Sequence, residues 1–519
     1  MGCQNCRMRI RRSVVALVLA TGCSSTRNQV ERVAIVSTAV AATAPVGTTS
    51  HSSELSVPTG SAPTVPAATA NVISPESGFT TLEGITAADG IGDPIFPLAG
   101  NGGYDAVNYD LTLAWDPATN TLAGSTVIDA LATQNLATFD LDLRGFTVLS
   151  VNVNEAPATF KRNGQELRIR PAEIVPTGSN FRILVDYSGI PEPVADPDGS
   201  SSGWILTNDG ATALGEPQGS PGWFPVNDHP SDKATFSFRV TVPNELNVVS
   251  NGLPRAPIVD GPLTTYTWIE NRLMAPYLAT VAIGHFTMTQ TTTASGLPVI
   301  NAIGPGLENP SRASLARIPE MVAWLSELFG PYPFDSVGAI VVDAPEVGYF
   351  LETQDRPTFT AVPFDAVMIH ELAHQWIGNS VSVATWQEIW LNEGFAGYVE
   401  WLWAEHDGGA TAQETFAATY DTHADSDSFW TQPPGPGTMT DAADLFGEPV
   451  YIRGAMTLHA LRTRVGDAAF FEILRKWTTT HRDGNVTTAE FIDLAEAVSK
   501  MPLGDLFTAW LETPTRPAQ

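Results

Sequence analysis

Between residues 286 and 311 the hydrophobic period of this chain changes from two residues to between three and four, and that change divides what it can fold into. Upstream, from about Gly100, the stretches YDAVNYDLTLAW, STVIDALAT, ATFDLDLRG and FTVLSVNVN alternate apolar and polar residues at strand length. Clusters of Asp, Pro, Gly and Asn separate them, as turns between half-buried strands require. In TFKRNGQELRIR, Asn163-Gly164 predicts a two-residue hairpin turn, because both residue types tolerate the positive φ such turns need. FRILVDY, TFSFRVTV, LTTYTWIE and LATVAIGHF continue the alternation to Phe286. The expectation is an all-β, mostly antiparallel domain of saddle or sandwich type over residues 79–290.

Downstream the pattern is helical. SRASLARIPEMVAWLSELFG predicts one helix with Leu315, Ile318, Met321, Leu325 and Leu328 on one face and Gly330 as its C-cap. Further helices are expected over 363–378, 387–405, 410–422, 451–464, 467–480 and 488–499. Thr487 and Glu490 form a capping box ahead of the last. VGAIVVD and a segment near 347–353 read as strands, so residues 291–519 form an α+β, mainly helical domain. At 519 residues, 43% hydrophobic and 16% charged, the chain belongs with multidomain globular proteins. A formal charge of −29 repels phosphate backbones and argues against nucleic-acid binding.

The first residues read as an address label. MGCQNCRMRIRR is a basic n-region holding Arg7, Arg9, Arg11 and Arg12, and SVVALVLA is an apolar run too short for a permanent span. Ala20-Thr21-Gly22-Cys23 resembles a lipobox, with Ala20 where Leu or Val is more usual. The expectation is a signal peptide over 1–22, a lipid anchor on Cys23, and export to the cell envelope of a bacterium, with plain cleavage and secretion as the rival. Cys3 and Cys6 would then be removed, leaving Cys23 without an intramolecular disulfide partner. Residues 23–78, rich in Ser, Thr, Ala, Pro and Val, read as a flexible linker.

The chemistry lies in the helical part. His370 and His374, in VMIHELAHQWIG, stand four residues apart, so on a helix both imidazoles share a face and can share one ion. Glu371 between them is placed to take a proton from water beside that ion. The same helix also carries an apolar stripe of Met368, Leu372 and Trp376, the pattern of an ordinary packed helix. Glu393 in WLNEGFA, with 18 residues between it and His374, supplies a third ligand from a second helix. Zinc in a hydrolase takes three protein ligands and keeps one position open.

HELAHQW and WLNEGFA at this separation resemble the aminopeptidase N-type gluzincins, the zinc metallopeptidases that include leukotriene hydrolase. GEPQGSPGWFPVNDHPSDKATFSF, GYFLETQDRPTF and EPVYIRGAMTLHALR extend the resemblance, in the family's order, over roughly residues 95–519. It implies a thermolysin-like catalytic domain after the β domain, one Zn2+ per chain on His370, His374 and Glu393, and Glu371 as general base. It implies that Glu352 and Glu216 bind the α-ammonium of a peptide substrate and that Tyr451 stabilises the oxyanion. The expected activity is removal of N-terminal residues from peptides with a free N-terminus. Alternatives are another zinc hydrolase on the same scaffold, an endopeptidase or epoxide hydrolase, and a non-catalytic envelope binding protein. The GxMEN segment departs from the family: Tyr349 stands at its glycine, Leu351 at its Met and Thr353 at its Asn. The short span after Tyr451 predicts a form lacking the C-terminal helical domain.

Overall fold

The computed structural model describes residues 86–518. The signal peptide, Cys23, the linker and the first residues of the β domain lie outside them. Among the described residues no helix is long and apolar enough to cross a membrane.

The alternating stretches form strands as their period dictates. A nine-stranded sheet is built around Tyr104–Asp116, Thr121–Ala132 and Asn180–Gly189 on one side and Ala234–Pro243 and Leu263–Met274 on the other. Neighbours pair antiparallel except Tyr104–Asp116 with Ala234–Pro243, which run parallel. A five-stranded sheet, with Val281–Gly284 between Asn247–Ser250 and Ala211–Leu214, and a three-stranded one, of Phe139–Asp142, Glu166–Arg170 and Thr159–Asn163, complete the β domain. Its core is aromatic: Tyr109 stacks on Phe236, and Phe236 on Phe238. The hairpin forms one residue later than expected. Asn163 pairs with Glu166, so Gly164 and Gln165 make the turn, and Gly164 takes the positive φ of 63°. A turn with Gly first needs left-handed backbone only there.

The seam between the two parts falls earlier than residue 290. Thr287–Thr292 pairs with Pro298–Ile303, which pairs parallel with Val337–Val341, then Thr358–Phe359 and the edge strand Phe350–Leu351. This sheet belongs to the catalytic half, so a boundary at 290 would cut a strand.

The expected helix over 311–330 is two, α1 (Glu308–Ala316) and α2 (Ile318–Phe329). Pro319 explains the break: it has no N–H to give the Leu315 carbonyl four residues back, and its ring crowds that carbonyl. Arg317, at the joint, forms ion pairs with Glu320, Asp365 and Asp407. Gly330 ends α2 at φ 91° as expected. Then come α3 (Asp365–Ala373), α4 (Trp390–His406), α5 (Ala412–Thr422), α6 (Ser428–Thr431), α7 (Gly454–Val465), α8 (Asp467–Thr480) and α9 (Thr488–Ser499). The capping box of Thr487 and Glu490 is formed.

The seam itself is polar and buried. Asp93 accepts from the Trp386 N–H at 2.8 Å and faces His229 at 3.1 Å. Asn251 donates to the Gln354 carbonyl at 2.8 Å, and the Gly252 N–H donates to Asp355 at 2.9 Å. A buried polar group without a partner costs roughly 1–3 kcal/mol, so each pairing favours one docking geometry of the two parts.

Candidate metal centre and active site

α3 carries His370 and Glu371, and His374 caps its C-terminus. Met368 and Leu372 on α3 and Trp376 in the turn after it are 2% exposed or less, so the apolar stripe and the two histidines coexist in one segment. α4 crosses α3 and delivers Glu393. Ligand atoms of His370, His374 and Glu393 all lie within 4.8 Å of one another, and all three residues are buried. The Nε2 atoms of His370 and His374 stand 3.3 and 3.5 Å from Glu393 Oε2.

The other ring nitrogens are occupied. His370 Nδ1 is 2.7 Å from Glu400, and His374 Nδ1 is 3.0 Å from the Ile377 carbonyl. Each of these acceptors holds the proton on Nδ1 and turns the Nε2 lone pair inward, as metal-binding imidazoles require. Two imidazole nitrogens and one carboxylate oxygen, converging and buried, fit a zinc ion. The charges agree. Burial opposes protonation of His370, yet Glu393 and Glu400 hold it well above the ordinary imidazole range. Burial likewise opposes protonation of His374, but Glu393 and Glu352 raise it to about 9. Burial would raise Glu393, but His374 and His370 keep its carboxyl below the usual range. This interior is built to stabilise positive charge among its ligands.

Glu371 is buried beside them, and burial, opposed by both histidines, pushes its carboxyl up to about 8. Tyr451 lies on a π-helical turn, Pro449–Arg453, just ahead of α7. Its ring stacks on His370, centroids 6.1 Å apart. Glycines make this approach possible. A Cβ on Gly394 would stand 2.8 Å from the Gly454 Cα, and one on Gly397 would stand 3.2 Å from the Tyr451 carbonyl oxygen. Larger residues there would push α4 and the Tyr451 turn apart.

Glu352 follows the edge strand and is 2% exposed; Glu216 approaches from the β domain. Carboxylate oxygens of Glu216, Glu352 and Glu393 also lie within 4.8 Å of one another, so Glu393 belongs to both clusters. Burial raises the Glu352 carboxyl, with His374 drawing it down and Glu393 driving it up. Tyr277 sits beside both anchors: burial, then the charges of Glu352 and Glu216, push its hydroxyl far above its ordinary range. The departures from GxMEN have local uses. Tyr349 packs with Ile205, Leu214 and Leu351 and donates to the Ser201 carbonyl at 2.9 Å, pinning the edge strand to the β domain. Thr353 bonds Thr358 at 2.8 Å and the Arg356 carbonyl at 2.5 Å, closing the turn after Glu352.

All seven residues singled out in the sequence therefore meet in one place. Glu400 and Tyr277 were not among them. Glu400 had a signal: seven residues, two helical turns, after Glu393 puts it on the same face of α4. Tyr277, in the turn Pro276–Leu278, had none.

An α+β half behind a β saddle, with an HExxH helix and a glutamate from the next helix, defines a two-domain metallopeptidase fold of the gluzincin kind. Residues 105–278 match the Peptidase M1 N-terminal domain and residues 352–510 the Peptidase family M1 domain. The fold is similar to the M1 zinc metallopeptidase from Deinococcus radiodurans, with a TM-score of 0.77 and 30% identity, covering 83% of this chain and 98% of that one. A variant of that protein solved with a Tyr-Ser-Ala substrate matches at a TM-score of 0.76 and 30% identity, covering 83% of this chain and 99% of that one. Aminopeptidase N of Lactobacillus delbrueckii subsp. lactis is 25% identical over 79% of this chain and 51% of its own length. Aminopeptidase M1-B of Oryza sativa subsp. japonica is 26% identical over 55% of this chain and 35% of its own. The chain thus spans about a third to a half of those two relatives. It belongs to peptidase family M1.

Proposed function

We propose that this chain is a zinc-dependent aminopeptidase that removes N-terminal residues from peptides. The observation that carries the reading is that Glu393 belongs both to the ligand set and to the Glu216–Glu352 cluster. A positively charged amine received by Glu216 and Glu352 lies next to the metal, so only the first peptide bond can reach it. His370, His374 and Glu393 would hold a zinc ion, which would supply a Lewis acid and lower the pKa of water to about 7.

The chain's own groups do the rest. Glu371 takes the proton of the attacking water and passes it to the leaving amine. The Tyr451 hydroxyl donates to the oxygen of the scissile carbonyl as negative charge grows there, an interaction strongest in the transition state. Glu352 and Glu216 orient the substrate by charge-assisted hydrogen bonds to its ammonium. Glu400 fixes the His370 ring through Nδ1.

The test compares hydrolysis of an aminoacyl-anilide with its N-acetylated form, before and after chelation. Activity is expected to need the free amine, to vanish with chelator and to return with Zn2+. Equal turnover of the blocked substrate would sink the reading. The proposal extends to location: residues 1–23 support bacterial export with a lipid on Cys23. Cys23→Ser is expected to move the protein from the membrane fraction to the soluble one, and an unchanged distribution would remove the anchor.

A further inference from the structure

Lys233 lies in the β-domain stretch NDHPSDKATF, is 8% exposed, and sends its ammonium across the seam. Nζ donates to the carbonyls of Asn379 at 3.0 Å, Ser380 at 2.8 Å and Gly484 at 3.1 Å. An ammonium has three protons to give, and three carbonyls receive them. Two of those carbonyls belong to the turn that leaves the HELAH helix. Asn379 is the joint of that turn. Its N–H donates to the His374 carbonyl at 3.0 Å, and its Nδ2 donates to the Glu352 carbonyl at 2.7 Å. Gln375 Nε2 reaches the same Glu352 carbonyl at 3.2 Å. A second β-domain group, the Tyr277 hydroxyl, holds the neighbouring Gly378 carbonyl at 3.3 Å.

We infer that Lys233 is a positioning residue for the amine anchor: by clamping the Asn379 peptide it sets where the Asn379 side chain holds the Glu352 backbone. The β domain then contributes to amine recognition twice, directly through Glu216 and remotely through Lys233. The inference rests on the aminopeptidase reading, because only an ammonium-binding Glu352 gives the placement a consequence for substrate. The zinc ligands have their own supports, Glu400 behind His370 and the Ile377 carbonyl behind His374. Loss of the clamp should therefore show in substrate binding before it shows in metal binding.

The experiment uses the full chain with Lys233→Met, Asn379→Asp and the double variant, measuring kcat and KM on an aminoacyl-anilide, zinc content and melting temperature. Lys233→Met keeps most of the stem and removes the three donors. KM is expected to rise about tenfold in each single variant, with zinc content unchanged and kcat within about threefold of wild type. The double variant should be no worse than the weaker single, because both changes cut one link. An unchanged KM in a folded variant, zinc loss in step with activity, or effects that add in the double would overturn the inference. If Lys233→Met does not fold, Asn379→Asp decides alone: an unchanged KM there overturns it and a rise supports it. The two readings fail differently. A wild type that hydrolyses the N-acetylated anilide equally well removes the anchor role altogether. A wild type that demands the free amine, with KM unmoved in the variants, removes only the role of Lys233.

Discussion

In the β domain Asp142 and Glu166 stand directly opposite each other on paired strands, and the Asp228 N–H donates to Asp142 at 2.9 Å. In the catalytic half Glu352, Glu371 and Glu393 are buried around two imidazoles. Both groups of three are buried, yet of the six only Glu393 is held below the ordinary carboxylate range. In the β domain burial dominates: it raises Asp142 well above the carboxylate range and both Glu166 and Asp228 to about 8, and Arg144 counters only weakly at Asp228. In the catalytic half His370 and His374 reverse the effect for Glu393 and moderate it for Glu352 and Glu371. A buried acid stays ionised where positive charge or hydrogen-bond donors reach it, and the two imidazoles do this for Glu393, beside the amine anchors.

Glu371→Ala removes the proton carrier but no ligand, so kcat should fall by about 10²–10⁴-fold with zinc content unchanged. Steady-state kinetics beside metal analysis checks this, and zinc lost together with activity would make Glu371 structural. Next in size, Glu400→Gln leaves the three ligands in place but weakens the hold on the His370 proton. Zinc affinity, read by competition with a chelating dye, should drop about 10–100-fold.

Asp228 titrates at about 8 in the folded chain, against 3.8 ordinarily, because burial penalises its charge. A carboxyl raised on folding contributes stability that is fully present at low pH. It fades as pH climbs from about 4 to about 8, because the unfolded chain gives up the proton first. Asp228→Asn imitates the protonated acid and should gain in melting temperature on wild type between pH 5 and pH 8.5. A constant difference across that range would mean that Asp228 is ionised in the fold.

Some of this is legible in the sequence alone. The change of period marked the two parts, and the spacing of His370, His374 and Glu393 indicated three ligands on two helices. Glu352, Glu216 and Tyr451 came from resemblance alone, since nothing in their local pattern separates them from a loop acid or a packed tyrosine. The misplaced features have two causes. The turn at Gly164-Gln165 and the strand at Thr287–Thr292 depend on which residue pairs with which, whereas the break at Arg317 is local and follows from Pro319. Periodicity reports a face; it does not report a partner.

Helical spacing in the sequence puts two imidazoles one turn apart and a carboxylate on a later helix. How these meet is settled by packing between distant segments. Gly394 against Gly454 brings the Tyr451 turn to His370, Glu400 orients His370, and Lys233 joins the β domain to the turn behind Glu352. Helical spacing is a short-range consequence of backbone hydrogen bonding, whereas the amine site is assembled across some 180 residues of chain, from Glu216 to Glu393. That assembly depends on packing and on satisfying buried polar groups, which no local pattern records.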